Sequence, residues 1–279
     1  MDTLTDILTT ADGCRLHLQR WPVSGPAHGT VQLVHGLGEH IGRYAAVAQA
    51  LNAAGWHVAG HDHRGHGRSA GPRGAMPADD SLLRDLAAVT DHLRGAGRHL
   101  LLGHSMGGLV AARFVAEALN PVPAAWARPV DGLVLSSPAL DAGLGAAQKL
   151  LLQVLGPLAP DLRVSNGLDA AWVSRDPQVV QAYQADPLVH DRVTPRLVRF
   201  IVQGGAQVLA LAPRWKVPTL LMWAGADRCV APAGSVAFAG AAPAGVLQAE
   251  PFAGLYHEIF NEPERTQVLA RLTRWLAVV

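Results

Sequence analysis

The stretch LLGHSMGGLV, residues 101–110, sets a lone serine among glycines where two kinds of secondary structure meet. Before it, HLLLGHS (99–105) is a short apolar run of strand length. After it, MGGLVAARFVAEAL (106–119) carries apolar residues at helical spacing. Strands favour β-branched residues and helix interiors avoid glycine, so the glycines belong to the turn between the two elements. Gly103-His104-Ser105-Met106-Gly107 fits G-x-S-x-G, the nucleophile elbow. In that motif the serine sits on a tight, strained turn with its Oγ above the sheet. Small residues two before and two after it let strand and helix backbones approach. The amide of the next residue, Met106, lies at a helix N-terminus and faces the reacting carbonyl. The strand-to-helix context is what separates this match from a chance one.

Outward from the elbow, short apolar runs alternate with helical patterns. TVQLVHG (30–36), HVAGHDH (57–63), DGLVLSSPAL (131–140) and PTLLMWAGAD (218–227) read as strands. RYAAVAQALNAAG (43–55), DDSLLRDLAAVTDHLRGAG (79–97) and the final PERTQVLARLTRWLAVV read as helices. The segment ILTTADGCRLHLQRW alternates around Asp12-Gly13, a hairpin signal. The pattern predicts an α/β fold with a mostly parallel sheet covered on both faces. Residues 141–213 break the rhythm, with helical stretches, several prolines and no convincing strand. They are longer than one crossover requires and read as a helical cap over the carboxyl ends of the strands. The expected division is therefore a core of 1–140 and 214–279 with a cap of 141–213.

The elbow needs a base, an acid and a second oxyanion donor. HGLGEH (35–40) is a glycine-rich turn after an earlier strand, and the Leu37 N–H is the candidate donor. The chain order Ser, acid, His is met by Asp227, at the end of a late strand, and His257, in a loop before the last helix. The imidazole takes the serine proton and a buried carboxylate holds its tautomer. His61, His63 and His66 cluster in GHDHRGHGRS, but only Asp62 accompanies them, and neither H-E-x-x-H nor a cysteine pair is present. A polar hydrogen-bonded loop near the cleft is expected there instead of a metal site.

The totals set bounds. The chain has 279 residues, 49% of them hydrophobic and 16% charged, with a formal net charge of +1. No basic stripe argues for nucleic acid. No apolar run reaches the roughly 20 residues of a membrane span. The two cysteines, Cys14 and Cys229, form no disulfide framework, and the N-terminus lacks the basic and apolar regions of a signal peptide. A cytoplasmic protein needing no metal or cofactor is expected.

Together HGLGEHIGRY, DHRGHGRS, GHSMGG, GADRCV and YHEIF resemble the monoacylglycerol lipase and lysophospholipase group of the α/β-hydrolase superfamily. The resemblance covers about residues 10–140 and 214–279 and is looser across the cap. It implies an α/β-hydrolase fold, and a serine hydrolase for carboxylic esters of lipophilic acyl groups. Monoacylglycerols come first, and lysophospholipids or simple carboxylic esters next. An acyltransferase, or a non-catalytic receptor for a lipid, is the more distant alternative. By position, Ser105 is the nucleophile, Asp227 the acid and His257 the base, with Leu37 and Met106 at the oxyanion amides. Glu39, Arg43 and His104 match residues that order the glycerol-binding end of the pocket. From spacing alone, Glu39 and Arg43 form a local i,i+4 ion pair, and both readings stay open.

Two further expectations concern the cap and Cys229. In LGAAQKLLLQVLGPLAP (144–160), Leu144, Leu151, Leu155 and Leu158 share one helix side with Leu150 and Val154 beside them. That side is expected to face the core, while Leu152 falls in the polar arc with Gln148, Lys149 and Gln153. An exposed Leu152 would suit a lid edge in transient contact with lipid. Cys229 follows Arg228, whose cation would favour the thiolate; a buried, inert thiol is the alternative.

Overall fold

A computed structural model describes residues 3–145, 148, 150, 152–153 and 156–279. Eight strands form one sheet: β1 (Leu4–Thr9), β2 (Arg15–Trp21), β3 (Gly29–Val34), β4 (His57–His61), β5 (Arg98–His104), β6 (Gly132–Ser136), β9 (Thr219–Ala224) and β10 (Leu247–Phe252). Their spatial order is β1-β2-β4-β3-β5-β6-β9-β10. β1 and β2 form the hairpin expected at Asp12-Gly13, closing at Thr9 opposite Arg15, with Gly13 at φ 81°. From β4 onward every pairing is parallel.

Strand β5 shows why the parallel strands read as unbroken apolar runs. Leu101 packs into one core cluster, while Leu100 and Leu102 pack into the other. Successive side chains point to opposite faces, and both faces are covered. One face carries α2 (Ser81–Leu93), α3 (Ser105–Ala116) and α6 (Pro232–Ala241); the other carries α1 (Ala45–Ala53) and α7 (Arg265–Leu276).

The strand order also fixes where a site forms. After β3 the chain crosses to β4 on one side, then returns to β5 on the other side of β3. The loops leaving β3 and β5 therefore diverge at a topological switch point, where open α/β sheets hold their ligands. Val34 pairs with Gly103, so the HGLGEH turn and the serine elbow leave the sheet side by side.

Residues 141–213 contain a short ladder, β7 (Val164–Ser165) with β8 (Arg192–Val193), and helices α4 (Pro177–Ala185) and α5 (Pro195–Leu211). The ladder contradicts the expectation of no strand there; two residues a side give no sequence pattern. α5 packs Leu197, Phe200, Ile201 and Val208 into the core cluster that includes α3. It approaches so closely that a Cβ on Gly205 would stand 2.3 Å from the Leu140 carbonyl.

The expected facing of the 144–160 stretch holds only in part where it is described: Gln148 and Gln153 are exposed and Leu144 is half-buried, but two of the apolar residues are not covered. Leu150 and Leu158 are 61% and 78% exposed, and Leu152 is half-buried. Leu151, Val154, Leu155 and Lys149 lie outside the described residues. No helix among the described residues is long and apolar enough to cross a membrane.

Candidate active site

Ser105 is held at φ 54°, the left-handed region that a non-glycine residue enters only under constraint. Its neighbours explain how. A Cβ on Gly103 would lie 2.4 Å from the Gly107 carbonyl oxygen, and one on Gly107 would lie 2.1 Å from the Val34 oxygen. Both positions admit only glycine, so α3 starts hard against the ends of β3 and β5. The Ser105 carbonyl accepts from Ala139 N–H at 3.0 Å, tying the turn to the loop after β6.

The residues expected to react with Ser105 meet it. His257 Nε2 lies 2.8 Å from Ser105 Oγ, and His257 Nδ1 lies 2.7 Å from Asp227 Oδ2. Asp227 Oδ1 accepts from the amides of Cys229 and Val230 at 2.8 and 3.1 Å. Burial pushes the His257 imidazole down. The Asp227 carboxylate, with Glu258 and Glu39 beyond it, more than offsets this, so its pKa is raised. Asp62 is engaged elsewhere, on the amides of Ile41 and Arg68.

A Cβ on Gly36 would stand 3.2 Å from Ser105 Cβ, which puts the HGLGEH turn directly beside the serine. The Leu37 amide has no protein acceptor among the described residues. Met106 is the second residue of α3, where no carbonyl inside the helix lies four residues back. The expected donors, the Leu37 and Met106 amides, thus lie on the turn and the helix start that flank Ser105.

Glu39 and Arg43 do pair, Nη1 to Oε2 at 2.7 Å, but the pair is part of a larger network. Glu39 Oε1 accepts from Gly36 N–H at 2.6 Å and from Tyr44 O–H at 2.7 Å, bracing the turn. Arg43 forks onto Glu258, with Nη1 and Nη2 at 2.6 and 2.8 Å from the two carboxylate oxygens. The Arg43 guanidinium also lies 4.8 Å from the Tyr183 ring centroid. Burial raises the Glu39 carboxyl, but Arg43, His104 and the hydrogen bonds outweigh it and lower the net pKa. His104 is buried, its ring centroid 4.7 Å from that of His257, with Nδ1 3.1 Å from the Ser136 carbonyl oxygen. Burial and the neighbouring His257 lower its pKa to about 4, so it is neutral near pH 7.

These groups open into a cavity of about 330 Å³. Its floor includes Leu37, Ser105 and His257, and its roof comes from residues 166–191, including Leu168, Val173, Tyr183, Val189 and His190. The roof is bonded to the machinery beneath it. His190 N–H donates to the Gly38 carbonyl at 2.8 Å, and His40 Nε2 lies 2.9 Å from Asp186 Oδ2. The fully buried Glu262 accepts from Ser174 Oγ, Arg175 and the Tyr256 amide, joining the roof to the loop that carries His257.

Sequence reasoning missed Glu258, Glu262, Tyr183 and the His40–Asp186 pair. Glu258 and Glu262 had a signal, two carboxylates flanking apolar residues in YHEIFNEPE. Tyr183 and Asp186 had none, since only folding brings them to the turn. Cys229 also needs correction on one point. Burial and the carboxylates Asp227, Glu258 and Asp169 push its thiol up, while the Arg228 guanidinium sits 5.1 Å from the Tyr256 ring centroid. The thiolate is therefore disfavoured.

Among the described residues, Asp227, Cys229 and His257 are the group with metal-ligand spacing. They fit a metal poorly, because Asp227 and His257 already hold each other and the other Asp227 oxygen accepts from two amides. His35, His61, His63 and His66 form a buried nest, with the His35 and His63 ring centroids 4.4 Å apart. His63 N–H donates to His35 Nε2 at 2.9 Å.

The family model described as "Serine aminopeptidase, S33" matches residues 25–264. A monoacylglycerol lipase of Mycolicibacterium smegmatis is 38% identical over 277 residues, covering 95% of this chain and 93% of the relative. A phospholipase of Bacillus subtilis is 31% identical over 252 residues, covering 89% and 94%. The crystal structure of a Paleococcus ferrophilus monoacylglycerol lipase matches with a TM-score of 0.82 at 36% identity, covering 93% of this chain and 98% of that one.

Proposed function

This chain belongs to the serine aminopeptidase S33 family, with an α/β-hydrolase fold, and from that premise we propose that it hydrolyses esters of lipophilic acyl groups, monoacylglycerols first. Ser105 Oγ attacks the ester carbonyl as His257 Nε2 takes its proton, and Asp227 holds the imidazole by Nδ1–H. The amides of Leu37 and Met106 receive the tetrahedral oxyanion. The alcohol leaves with the proton from His257, and water then cleaves the acyl-enzyme by the same relay in reverse order. No step requires a metal or cofactor.

One observation carries this reading: the unbroken chain from Ser105 Oγ through His257 to Asp227 at 2.8 and 2.7 Å, on a left-handed serine that lines a cavity. The substrate class follows the names of the relatives, and the sequence motifs agree with it. The division into a core of 1–140 and 214–279 and a cap of 141–213 is part of the proposal. In it, the exposed Leu150, Leu158, Leu162, Val164 and Leu168 form a lid edge that touches lipid surfaces transiently. Leu158→Glu should then weaken co-sedimentation with lipid vesicles while leaving turnover of a short water-soluble ester unchanged. The unpaired thiols of Cys14 and Cys229 are in keeping with a cytoplasmic location.

An aminopeptidase would need a carboxylate free for the substrate ammonium. Of the carboxylates lining the cavity, Glu39 and Glu258 are engaged by Arg43, Asp186 by His40 and Asp191 by Arg192, while Asp169 accepts from the Ala171 amide. A substrate panel tests the reading: monoacylglycerols, lysophospholipids, p-nitrophenyl esters of varied chain length and aminoacyl anilides. Highest kcat/KM on monoacylglycerols is expected; preference for lysophospholipids or for anilides overturns the assignment of substrate.

A further inference from the structure

Two loops must keep a fixed spacing for the proposed chemistry, the turn that offers the Leu37 amide and the loop that carries His257. They are far apart in sequence, and a chain of buried charged groups joins them. Gly36 N–H donates to Glu39 Oε1 at 2.6 Å, Arg43 Nη1 donates to Glu39 Oε2 at 2.7 Å, and the Arg43 fork closes on both oxygens of Glu258. Glu258 is the residue after His257. The side chains of Glu39, Arg43 and Glu258 are only 5%, 11% and 6% exposed, so water competes little for these bonds.

We propose that Glu258 is a positioning residue for His257: through Arg43 and Glu39 it fixes the imidazole against the oxyanion turn, and its charge favours the imidazolium formed as Ser105 attacks. The proposal rests on Ser105, His257 and Asp227 being the reacting triad. Two carboxylates and one guanidinium leave one surplus negative charge in a buried cluster. Burying an incompletely neutralised cluster is costly, and its place beside the base gives that charge a use.

The remaining groups around His257 do not supply that charge. Asp227 supplies its own through Nδ1, His104 is neutral near pH 7, and the Cys229 thiol is held protonated. Ser105 Oγ is on the other ring nitrogen. Arg43 is the one cation in the network, and it is shared between two carboxylates.

The arrangement also argues against these three residues serving chiefly as a polar grip on the leaving alcohol. Every carboxylate oxygen of Glu39 and Glu258 already accepts a hydrogen bond, and Glu258 Oε2 takes a second from Asn261 Nδ2 at 2.8 Å. With three hydrogen bonds accepted by each carboxylate out of roughly four acceptor sites, little capacity is left on either for a hydroxyl.

The test compares wild type, Glu258→Gln, Glu258→Asp and Arg43→Lys on a monoacylglycerol and on the p-nitrophenyl ester of the same acid. Glu258→Gln keeps the shape and removes the charge. It should lower kcat by about 10- to 100-fold on both esters, as expected for a base displaced by up to about 1 Å, with KM within about twofold. The imidazole loses a carboxylate that raises its pKa, so the acidic limb of the kcat/KM profile should move to lower pH. Glu258→Asp restores the charge and should restore that limb. Arg43→Lys keeps the cation but breaks the fork, and should lower kcat with a smaller movement of the limb. It keeps the proposal falsifiable should Glu258→Gln fail to fold.

A loss confined to the glycerol ester, or to KM, overturns the proposal in favour of contact with the leaving group. A loss of kcat with an unmoved acidic limb and a lowered melting temperature overturns it in favour of a purely structural role. Unchanged kcat in both Glu258→Gln and Arg43→Lys overturns it outright. Failure of the triad reading itself would show separately, as full turnover in Ser105→Ala.

Discussion

Gly107→Ala tests the elbow by adding one methyl group. The new Cβ would stand 2.1 Å from the Val34 carbonyl oxygen and 2.3 Å from that of His35, both backbone atoms. No rotamer change relieves a backbone contact, so α3 and the end of β3 must separate by about 1 Å. Overpacking of this kind costs about 1–3 kcal/mol. At roughly 2–4 °C per kcal/mol for a domain near this size, a melting temperature about 5 °C lower is expected. His35 leads straight into Gly36 and Leu37, so the same separation moves an oxyanion amide away from Ser105. A 1 Å error at a reacting centre costs about 100-fold in rate. Differential scanning fluorimetry and steady-state hydrolysis of p-nitrophenyl butyrate read the two effects. Gly95→Ala is the control, since its Cβ would meet nothing within 4 Å. A Gly107→Ala enzyme with wild-type kcat and melting temperature would refute the steric account of the elbow.

Asp227→Asn should lower kcat by about 10⁴-fold, because the amide can present the wrong partner to Nδ1; an equal loss in Asp62→Asn with activity retained in Asp227→Asn would move the acid elsewhere. The histidine nest predicts acid sensitivity. Burial holds His35, His61, His63 and His66 below the ordinary imidazole pKa, His61 at about 4. The unfolded chain binds these protons near pH 6.5, so their contribution is complete above that pH and is lost as pH falls toward 4. Each proton adds up to about 1.4 kcal/mol per pH unit to the slope. His61→Leu should make urea-unfolding stability fall less steeply between pH 6.5 and 4.5, and an unchanged slope would contradict the burial argument. The Cys229 thiol should react slowly with N-ethylmaleimide at pH 7, leaving most activity after a treatment that fully modifies a free thiol; rapid inactivation spared by Cys229→Ser would show a thiolate that the structure disfavours.

The sheet and the triad were legible because their signals are local or follow chain order. HLLLGHS reads as a strand since both faces of β5 are buried, and G-x-S-x-G marks its turn by the glycines that close packing demands. β10 was not legible: LQAEPF is an edge strand, where Glu250 and Pro251 are tolerated and the apolar pattern is lost. α6, built from PAGSVAFAGA, lacks the large apolar residues that reveal a helix face. The 144–160 stretch misled for a different reason. Its apolar periodicity predicts a side that faces the core, whereas Leu150 and Leu158 are exposed. Within the site, residues next to motifs were in view even when their roles were not, as with Glu258. Tyr183 and Asp186 reach the site only through the path of the roof.

The most direct test of the central claim is turnover by Ser105→Ala, measured on a monoacylglycerol with the glycerol released followed over time. The side chain loses one oxygen and little packing, so the fold should be retained. Removal of the nucleophile should lower kcat by about 10⁵- to 10⁶-fold, leaving only what the oxyanion amides and binding provide. Turnover near the wild-type rate by folded Ser105→Ala would contradict the account.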